Sequence, residues 1–362
     1  MRTTAAVLRG ADQPFALEPI DLADPGPGEV LVRIVGAGMC HTDLLPRAGM
    51  SAPPPIVVGH EGSGIVEALG PGVSGVSAGD HVILSFDACR TCRNCRSAQP
   101  SYCDTFVPRN MAGVALDGTA SARDAAGGRV ANRWFAQSSF AGHALVPEAN
   151  LVRVDPSLAL EVLGPLACGV LTGAGAMLKS LPVRPGSAVA VFGAGGVGLS
   201  AVMAARVAGA TTIVAVDLND KRLQLAEELG ATHVVRGGAD DVVRQIRKLT
   251  AGGADCTLDT TGVPAVISGA VDALRITGTC GLVGAQRGDL VLGPAQIAFG
   301  KTITGIIEGG AVPSLLIPEL LALWQQGRFP FDRLIQTFPL AEINEAERAM
   351  HRGDVVKPVL LP

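Results

Sequence analysis

The chain carries two patterns of hydrophobic and polar positions, one after the other. Over roughly the first 150 residues, short apolar runs such as Glu29–Val35, Gly64–Leu69 and His81–Leu84 are separated by Gly- and Pro-rich segments. Gly and Pro mark turns because they adopt or fix backbone conformations that regular elements avoid. Short apolar runs between such turns predict β-strands, so we expect this part of the chain to be β-rich.

From about residue 165, short apolar runs alternate with longer amphipathic ones. The predicted strands are Ala188–Phe192, Thr212–Val216, His233–Val235, Cys256–Asp259 and Gly278–Val283. The predicted helices are Gly198–Ala208, Lys221–Leu229, Asp241–Leu249 and Ala265–Leu274. Alternation at this spacing predicts an α/β fold with a doubly wound parallel sheet.

The end of the chain returns to mixed structure, with a predicted helix near Leu315–Gln326 and a last strand at Lys357–Leu361. We therefore predict that a parallel-sheet domain, residues 166–307, is inserted into a β-rich domain. Residues 1–165 form the first part of that β-rich domain, and residues 308–362 form its return segment.

Composition and charge exclude several classes of protein. The chain has 362 residues, of which 48% are hydrophobic and 17% charged. That apolar content is enough for two buried cores and excludes a disordered chain. A net charge of -4 and an aromatic content of 4%, with no basic block, argue against a nucleic-acid-binding surface.

A mean hydropathy of +0.36 raises the question of a membrane segment. Residues 186–205 carry no charge, but a Gly cluster interrupts them and charged residues flank both sides. Two short buried elements fit this stretch better than a spanning helix. The N-terminal sequence lacks a sustained apolar core before its charges, so we expect no signal peptide and a cytoplasmic protein.

One Gly-rich motif follows a predicted strand and opens a predicted helix. It consists of Gly193, Ala194, Gly195, Gly196, Val197 and Gly198. In this context the glycines permit a tight turn, backbone approach to a pyrophosphate and close helix–strand packing. Asp217 ends the next strand, where a carboxylate accepts hydrogen bonds from ribose hydroxyls and repels a 2′-phosphate. The motif predicts a Rossmann-type NAD site, in which nearby Arg222 weakens the preference over NADP. The alternative is a Gly-rich turn without a ligand.

Four of the eight cysteines crowd into a lobe of residues 86–106. They are Cys89, Cys92, Cys95 and Cys103. Disulfides between cysteines so close in sequence would be strained, and a reducing cytosol disfavours them. Four thiolates in one loop are typical of a closed, structural zinc site, and the arginines of the lobe, beginning with Arg90, favour thiolates. The alternatives are an iron–sulfur cluster, which would leave a hydride-transfer site unexplained, and free thiols.

Three further candidate ligands lie far apart in the sequence: Cys40 in GMCHTD, His60 in GHEGSG and Cys168 in LGPLACG. Taken singly, each has a simpler interpretation, because cysteine and histidine often serve as buried core residues. Taken together, two cysteines and one histidine with an open fourth position form a known set of catalytic zinc ligands.

These motifs together resemble the zinc-dependent medium-chain alcohol dehydrogenases over essentially the whole chain. GHEGSGIVEALGPGV is similar to the zinc signature of that family, and the four-cysteine lobe, GAGGVG and Asp217 occur in the family's order. WFAQSSFAGHALV, LGPLACGVLTGAGAML and the C-terminal IPELLALWQQGRFPFDRL, INEA and VVKPVLLP look most like the aryl (benzyl) alcohol dehydrogenases. The resemblance implies a GroES-like catalytic domain joined to a Rossmann domain, with NAD and with one catalytic and one structural zinc ion per chain.

The resemblance also implies roles for residues around the catalytic zinc, which Cys40, His60 and Cys168 would hold. Thr42 would be the first proton acceptor from the alcohol. Asp43 would bond the far ring nitrogen of His60 and fix its tautomer. Glu61 would lie behind the metal and bind it transiently during ligand exchange.

Other implied roles concern the cofactor and the substrate pocket. Thr172 would pack near the nicotinamide, Lys357 would lie close to the cofactor phosphates, and Phe86 would line the substrate pocket. His41 stands where several relatives carry an arginine facing the pyrophosphate, so cofactor affinity is expected to rise at lower pH. Leu45 replaces a relay histidine, so the proton from Thr42 is expected to leave by the cofactor ribose and water.

The remaining histidines and cysteines are interpreted as structural. The histidines are His81, His143, His233 and His351. Cys256 and Cys280 lie on predicted strands and are expected to be buried thiols.

The expected function is NAD-dependent oxidation of a primary alcohol to an aldehyde, with an aryl or allylic substrate. A dehydrogenase for terpenoid, aliphatic or polyol alcohols is the alternative enzyme. A non-catalytic relative should have lost its zinc ligands, and all seven candidates are present here. A zinc-ribbon nucleic-acid binder conflicts with the acidic balance. Expected partners are a small alcohol or aldehyde and a second copy of the chain, in a homodimer or homotetramer formed through the nucleotide domains, with no nucleic acid and no membrane.

Overall fold

The computed structural model describes residues 1–362, and the chain divides into two compact units. The first unit comprises Met1–Cys168, Val312–Pro318 and Asp332–Pro362. The second unit comprises Gly169–Ala311 and Glu319–Phe331. The domain boundaries drawn from the sequence stay predictions.

Strands and helices follow one another along the whole chain. The strands are β1 (Arg2–Leu8), β2 (Ala16–Leu22), β3 (Glu29–Gly38), β4 (Ile56–Val57), β5 (Glu61–Leu69), β6 (His81–Leu84), β7 (Ala122–Asp124), β8 (Arg129–Val130), β9 (His143–Pro147), β10 (Leu151–Arg153), β11 (Ala188–Phe192), β12 (Thr212–Asp217), β13 (His233–Arg236), β14 (Ala254–Asp259), β15 (Leu274–Leu282), β16 (Thr302–Gly305), β17 (Ile335–Pro339) and β18 (Lys357–Leu361). The α-helices are α1 (Arg93–Arg96), α2 (Phe106–Asn110), α3 (Gly169–Gly175), α4 (Gly196–Val207), α5 (Asp220–Leu229), α6 (Val242–Leu249), α7 (Pro264–Asp272), α8 (Pro294–Ile297), α9 (Pro313–Gln325) and α10 (Ile343–Arg352).

Two sheets form the first unit, as its short apolar runs predict. One sheet has the strand order β4-β1-β2-β7-β8, and the other has the order β10-β6-β5-β3-β18-β17 with β9 paired to β3. Antiparallel pairing of β3 with β5 places Gly38 opposite Glu61, and pairing of β3 with β18 places Val359 opposite Gly38. This register brings the chain after β3, the chain before β5 and the start of β18 together at one end of the sheet.

A six-stranded parallel sheet forms the centre of the second unit. Its order is β13-β12-β11-β14-β15-β16, and every pair in it is parallel. The chain runs outward to β13 and then returns past β11 to β14, which is the doubly wound arrangement that strand–helix alternation predicts. Ala190, Val214 and Cys280 are fully buried in its core.

The largest difference from the predicted elements lies between α7 and β15. The helix ends at Asp272, and the strand begins at Leu274, four residues before the predicted Gly278. Leu274 is fully buried and pairs with Ala254 in the sheet, so its side chain belongs to a strand and not to the helix. The sequence pattern could not show this because a short apolar run fits either element.

Residues 186–205 fold as two short elements, β11 and most of α4, as predicted. No helix of the chain combines the length and the apolar character that a membrane crossing requires.

Candidate active site and cofactor-binding residues

The end of the sheet where β3, β5 and β18 meet carries a cluster of metal-ligating side chains. Cys40, His60, Glu61 and Cys168 each offer one ligand atom, and these atoms all lie within 4.8 Å of one another. Nε2 of His60 lies 3.2 Å from Sγ of Cys168. The fold therefore brings together the three ligands that the sequence could not connect by spacing.

Asp43 holds His60 from the side opposite to the cluster. Its Oδ1 lies 2.6 Å from Nδ1 of His60 and accepts the N–H of Gly59 at 3.0 Å. Its Oδ2 accepts the backbone N–H of Cys40 at 3.0 Å. Asp43 and His60 are almost fully buried, so this pair fixes the ring orientation and directs Nε2 toward the cysteines.

Glu61 has a partner that the sequence did not predict. Nζ of Lys357 lies 2.8 and 2.9 Å from the two carboxylate oxygens of Glu61 and donates to the carbonyl of Met39 at 3.0 Å. Both side chains are buried. The ammonium that the resemblance places near cofactor phosphates is thus bound to Glu61, the residue expected behind the metal.

The electrostatics of the cluster combine thiolates with positive groups. Hydrogen bonding to Cys168 lowers the pKa of the Cys40 thiol well below its usual value, although burial opposes this. Burial acts to lower the pKa of His60, but Asp43 and Cys40 raise it well above its usual value. Burial likewise opposes the charge of Lys357, yet Glu61 and Cys40 raise the pKa of Lys357. The cluster therefore favours thiolate sulfur with positive charge beside it. A zinc ion would supply that charge, and His60 would have to lose its ring proton to bind the metal.

Aromatic side chains form one wall of the cluster. The ring of Phe135 stacks on His60 at 4.4 Å with an interplanar angle of 24°. Phe106 meets Phe135 edge-on at 6.2 Å, and Phe86 lies 5.7 Å from Phe106. Nε1 of Trp134 donates to Oδ1 of Asp43 at 3.0 Å. Phe86 was predicted as a pocket residue, whereas the contacts of Trp134 and Phe135 were not predicted.

The four cysteines of the lobe form a second cluster. Their sulfur atoms lie within 4.8 Å of one another, and Sγ of Cys89 lies 3.9 Å from Sγ of Cys95. Four sulfurs placed 2.3 Å from one zinc ion would be about 3.8 Å apart, so the cluster has the dimensions of a tetrahedral zinc–thiolate site.

Backbone groups supply much of the thiolate stabilisation in the lobe. Hydrogen bonds from Thr91 and the N–H of Cys92 lower the pKa of Cys89 to about 5, whereas burial raises the pKa of Cys95 to about 12. The guanidinium of Arg90, expected to favour thiolates, binds the carbonyls of Ala88 and Ala149 instead. The backbone N–H of Arg90 acts to lower the pKa of Cys95, and the expected effect of its side-chain charge on the thiolates stays a prediction.

The Gly-rich motif forms the loop between β11 and α4. Gly193 has a φ of +94°, and a side chain there would also collide with Oγ1 of Thr260. A Cβ on Gly198 would lie 1.8 Å from the carbonyl oxygen of Gly193, so this glycine allows close helix–strand packing, whereas no atom lies within 4 Å of a Cβ built on Gly195. The backbone N–H groups at the start of α4 can therefore be approached by a phosphate.

The acidic residue at the end of β12 lies against the Gly-rich loop. Oδ2 of Asp217 accepts the N–H of Ala194 at 2.6 Å, and its Oδ1 accepts the N–H of Asn219 at 2.8 Å. Nε of Arg222, on the first turn of α5, is buried without a hydrogen-bond partner. Thr172 is buried on α3 and donates to Glu308 at 3.4 Å. Asp217 thus lies against the Gly-rich loop, and the roles of Asp217, Arg222 and Thr172 toward a cofactor stay predictions.

The remaining candidates lie in the short helical turn after Cys40. Thr42 is half-buried and His41 is exposed, with the ring of His41 6.1 Å from that of His351. Leu45 is half-buried. Cys256 and Cys280 are fully buried, as predicted. His81, His143, His233 and His351 belong to neither metal-ligating cluster, and their structural interpretation stays a prediction.

Comparison with known proteins agrees with this geometry. Residues 26–156 match the model of the alcohol dehydrogenase GroES-like domain, and residues 196–325 match that of the zinc-binding dehydrogenases. A geraniol dehydrogenase of Castellaniella defragrans is 46% identical over 99% of this chain and 97% of that protein. An NDMA-dependent alcohol dehydrogenase of Amycolatopsis methanolica is 36% identical over 100% of this chain and 99% of that protein.

Two crystal structures share the fold over their whole length. An alcohol dehydrogenase zinc-binding domain protein from Burkholderia ambifaria superposes with a TM-score of 0.97 at 50% identity, covering 100% of this chain and 99% of that chain. Benzyl alcohol dehydrogenase from Acinetobacter calcoaceticus superposes with a TM-score of 0.96 at 42% identity and the same coverage. With two thiolate clusters fit for zinc and a Gly-rich loop fit for a dinucleotide, the chain belongs to the zinc-dependent medium-chain alcohol dehydrogenases, oxidoreductases that use zinc and NAD.

Proposed function

We propose that the chain oxidises primary aryl or allylic alcohols to aldehydes with NAD. The observation that carries the proposal is the aromatic wall beside the cluster, in which Phe135 stacks on His60 at 4.4 Å and meets Phe106 at 6.2 Å. Aromatic rings pack favourably against other π-systems, so this wall favours an alcohol whose reacting carbon adjoins a ring or a double bond.

We infer that Cys40, His60 and Cys168 hold the catalytic zinc. When bound there, zinc acts as a Lewis acid that favours the deprotonated form of an alcohol. Asp43 keeps the ring of His60 in the orientation that the metal requires. Glu61 is positioned to exchange with other ligands, and Lys357 neutralises its charge between exchanges. The other cluster, of Cys89, Cys92, Cys95 and Cys103, holds a structural zinc that folds the lobe.

The proton leaves through the hydroxyl of Thr42. The side chain of Leu45 has no group that can accept a proton, so the proton would pass from Thr42 to a ribose hydroxyl of the bound cofactor and to water. Asp217 would accept bonds from the adenosine ribose and would oppose a 2′-phosphate, which supports NAD over NADP. We further propose that His41 adds positive charge near the pyrophosphate, whereas the charge of Lys357 is neutralised by Glu61.

A terpenoid alcohol is the second candidate substrate. The relative from Castellaniella defragrans, 46% identical, is named a geraniol dehydrogenase, and geraniol is both allylic and terpenoid. Benzyl alcohol dehydrogenase, 42% identical, supports an aryl alcohol. Both alcohols place a π-system next to the reacting carbon, so the aromatic wall fits either one.

The test measures zinc content and NAD-linked turnover on one preparation, with benzyl alcohol, geraniol and ethanol as substrates. We expect about two zinc ions per chain and a preference for benzyl alcohol or geraniol over ethanol. Preference for ethanol would contradict the substrate class but not the zinc sites. Cys40→Ser is expected to abolish turnover while NAD still binds, and full activity of that variant would overturn the catalytic zinc assignment.

We also propose that the enzyme is a cytoplasmic homo-oligomer. None of the eight cysteines forms a disulfide in the structure, which suits a reducing compartment. Strand β16 ends the parallel sheet with one edge unpaired. Apolar side chains close to this edge are exposed: Ile276 (63%), Ile297 (60%) and Phe299 (68%). An unpaired edge flanked by apolar surface favours pairing with a second copy of the chain.

A further inference from the structure

We propose that Trp134 is a positioning residue for the metal cluster: its indole N–H holds the Asp43 carboxylate that orients His60, and thereby sets how tightly the cluster retains zinc. The inference rests on the proposed catalytic zinc site. It assigns a function to a tryptophan that ligates no metal.

The Asp43 carboxylate receives four donors, and Trp134 is distinct among them. Two donors are the backbone N–H groups of Cys40 and Gly59, at 3.0 Å each. The third is the ring of His60, at 2.6 Å, and the fourth is Nε1 of Trp134, at 3.0 Å. Trp134 therefore supplies the one side-chain bond to this carboxylate that does not come from a proposed ligand.

The chemistry of the indole suits this position. Its N–H is a donor only, so it cannot accept the proton of His60 in competition with Asp43. It binds Oδ1, the same oxygen that pairs with His60, and it therefore restrains that oxygen directly. Trp134, Asp43 and His60 are all buried to 1% exposure or less, so water does not replace a lost donor easily.

The backbone after Trp134 adopts a strained conformation, and the contact of Trp134 with Asp43 helps to explain it. Phe135 and Ala136 have φ values of +49° and +52°, a region that non-glycine residues rarely occupy. The bend lets neighbouring side chains meet the two halves of the pair, since Trp134 binds Asp43 and Phe135 stacks on His60. The N–H of Trp134 donates to Oγ of Ser138, which donates to the carbonyl of Val57 at 2.6 Å.

The consequence concerns metal retention. Without the indole donor, Asp43 keeps its backbone bonds but loses a restraint on the oxygen that orients His60. Loss of a group bonded directly to a metal ligand typically weakens metal binding about 10- to 100-fold. Trp134 acts through Asp43, one bond further out, so we expect the lower end of that range. Trp134→Phe keeps an aromatic ring in the site and removes the N–H.

The test follows zinc release from the holoenzyme to a metallochromic chelator. In Trp134→Phe, one of the two zinc ions is expected to leave about tenfold faster or more, and the zinc of the cysteine lobe is expected to leave at the wild-type rate. Trp324→Phe is the matched control, because Trp324 packs on Phe331 in the second unit; both zinc ions should leave it at wild-type rates.

A double-variant cycle separates positioning from loss of packing. In the Asp43→Asn background the charge through which Trp134 acts is gone, so adding Trp134→Phe is expected to accelerate release far less than in wild type. Equal acceleration in both backgrounds, or none in Trp134→Phe, would overturn the inference. If Trp134→Phe fails to fold, hydrogen exchange is measured on the Trp324→Phe holoenzyme, in which the indole N–H that remains is that of Trp134. The inference requires that this exchange be strongly slowed, and free exchange would overturn the inference. Wild-type enzyme with one zinc ion per chain would instead contradict the proposed function.

Discussion

Asp217 contributes both a charge and a loop contact, and the two can be separated by substitution. Asp217→Asn keeps an oxygen for the N–H of Ala194, which lies 2.6 Å from Oδ2 in the wild type. It removes the negative charge and the acceptor for the N–H of Asn219. We expect the ratio of kcat/KM for NAD to that for NADP to fall on the order of tenfold, because charge repulsion of the 2′-phosphate is lost.

Asp217→Ala serves as the comparison, since it removes the loop contact as well. It should lower kcat/KM for both cofactors and should also lower the ratio of kcat/KM for NAD to that for NADP. A wild-type enzyme that already prefers NADP would show that the carboxylate does not select the cofactor.

The buried Lys357–Glu61 pair gives a prediction about stability. Lys357→Met leaves the Glu61 carboxylate buried without its cation, which typically costs about 3–5 kcal/mol in the free energy of unfolding. Lys179→Met is the matched control, because the Lys179–Glu319 pair has side chains 40% and 53% exposed, and such pairs contribute less than about 1 kcal/mol.

Urea unfolding of the two lysine variants measures both effects. Adding Glu61→Gln to Lys357→Met should restore much of the lost stability, since no unpaired charge then remains buried. Equal stability of Lys357→Met and wild type would mean that the pair is not maintained in solution.

At this scale the sequence predicted the candidate ligands and the contact of Asp43 with His60, but not the other side chains that bind Glu61 and Asp43. Cys40, His60 and Cys168 were recognisable because few residue types bind zinc. The pairing of Glu61 with Lys357 depends on the register of β3 with β5 and β18, which no local pattern contains. The Trp134–Asp43 bond was missed for the same reason, since 91 positions separate the two residues.

Among the elements, strands β14 and β15 predict a pattern of thiol reactivity. Burial raises the pKa of Cys256 to about 12 and that of Cys280 to about 11. The thiolate is the reactive form, so alkylation of both residues at pH 8 should be very slow and should accelerate about tenfold per pH unit toward those values.

Mass spectrometry of zinc-depleted protein treated with iodoacetamide measures this directly. The lobe cysteines, such as Cys89 with its pKa lowered to about 5, provide the reactive comparison in the same sample. Labelling of Cys280 as fast as Cys89 would show that the sheet opens on zinc removal.

Elements with strong periodicity were placed well, and their ends were placed less well. β6, β11 and β18 have the bounds that the sequence predicted, because turn residues limit these apolar runs. β15 begins earlier than predicted because burial of Leu274 is a property of the folded sheet. The lobe is a different case: α1 has only four residues, too few for a stable helix, and only the cysteine spacing indicated its position.

At the scale of the whole molecule, the order of the predicted strands and helices along the chain indicated the fold class. Runs of strands followed by strand–helix alternation predict a β-rich part and a doubly wound part, and the parallel sheet order confirms the latter. What the sequence could not show is which surfaces stay exposed. The apolar residues near β16 look like core residues in the sequence, and only the folded sheet places them on its surface.

Those surface residues yield the last prediction, which concerns assembly. Phe299 is 68% exposed, and its carbonyl accepts the N–H of Thr277 beside the sheet edge. If β16 pairs with a second copy of the chain, Phe299→Glu places a charge in an apolar interface and should shift the enzyme to a smaller species. Light scattering coupled to size-exclusion chromatography measures the mass.

Leu315→Glu is the control for that substitution, because Leu315 is similarly exposed, at 62%, but lies in the first unit. Its mass should equal that of wild type. A wild-type monomer, or an unchanged mass in Phe299→Glu, would contradict assembly through this edge. Dissociation by Leu315→Glu alone would place the interface on α9 instead. Because edge pairing adds backbone hydrogen bonds as well as apolar contact, the substitution is expected to weaken the assembly at low protein concentration first, where mass action favours separate chains.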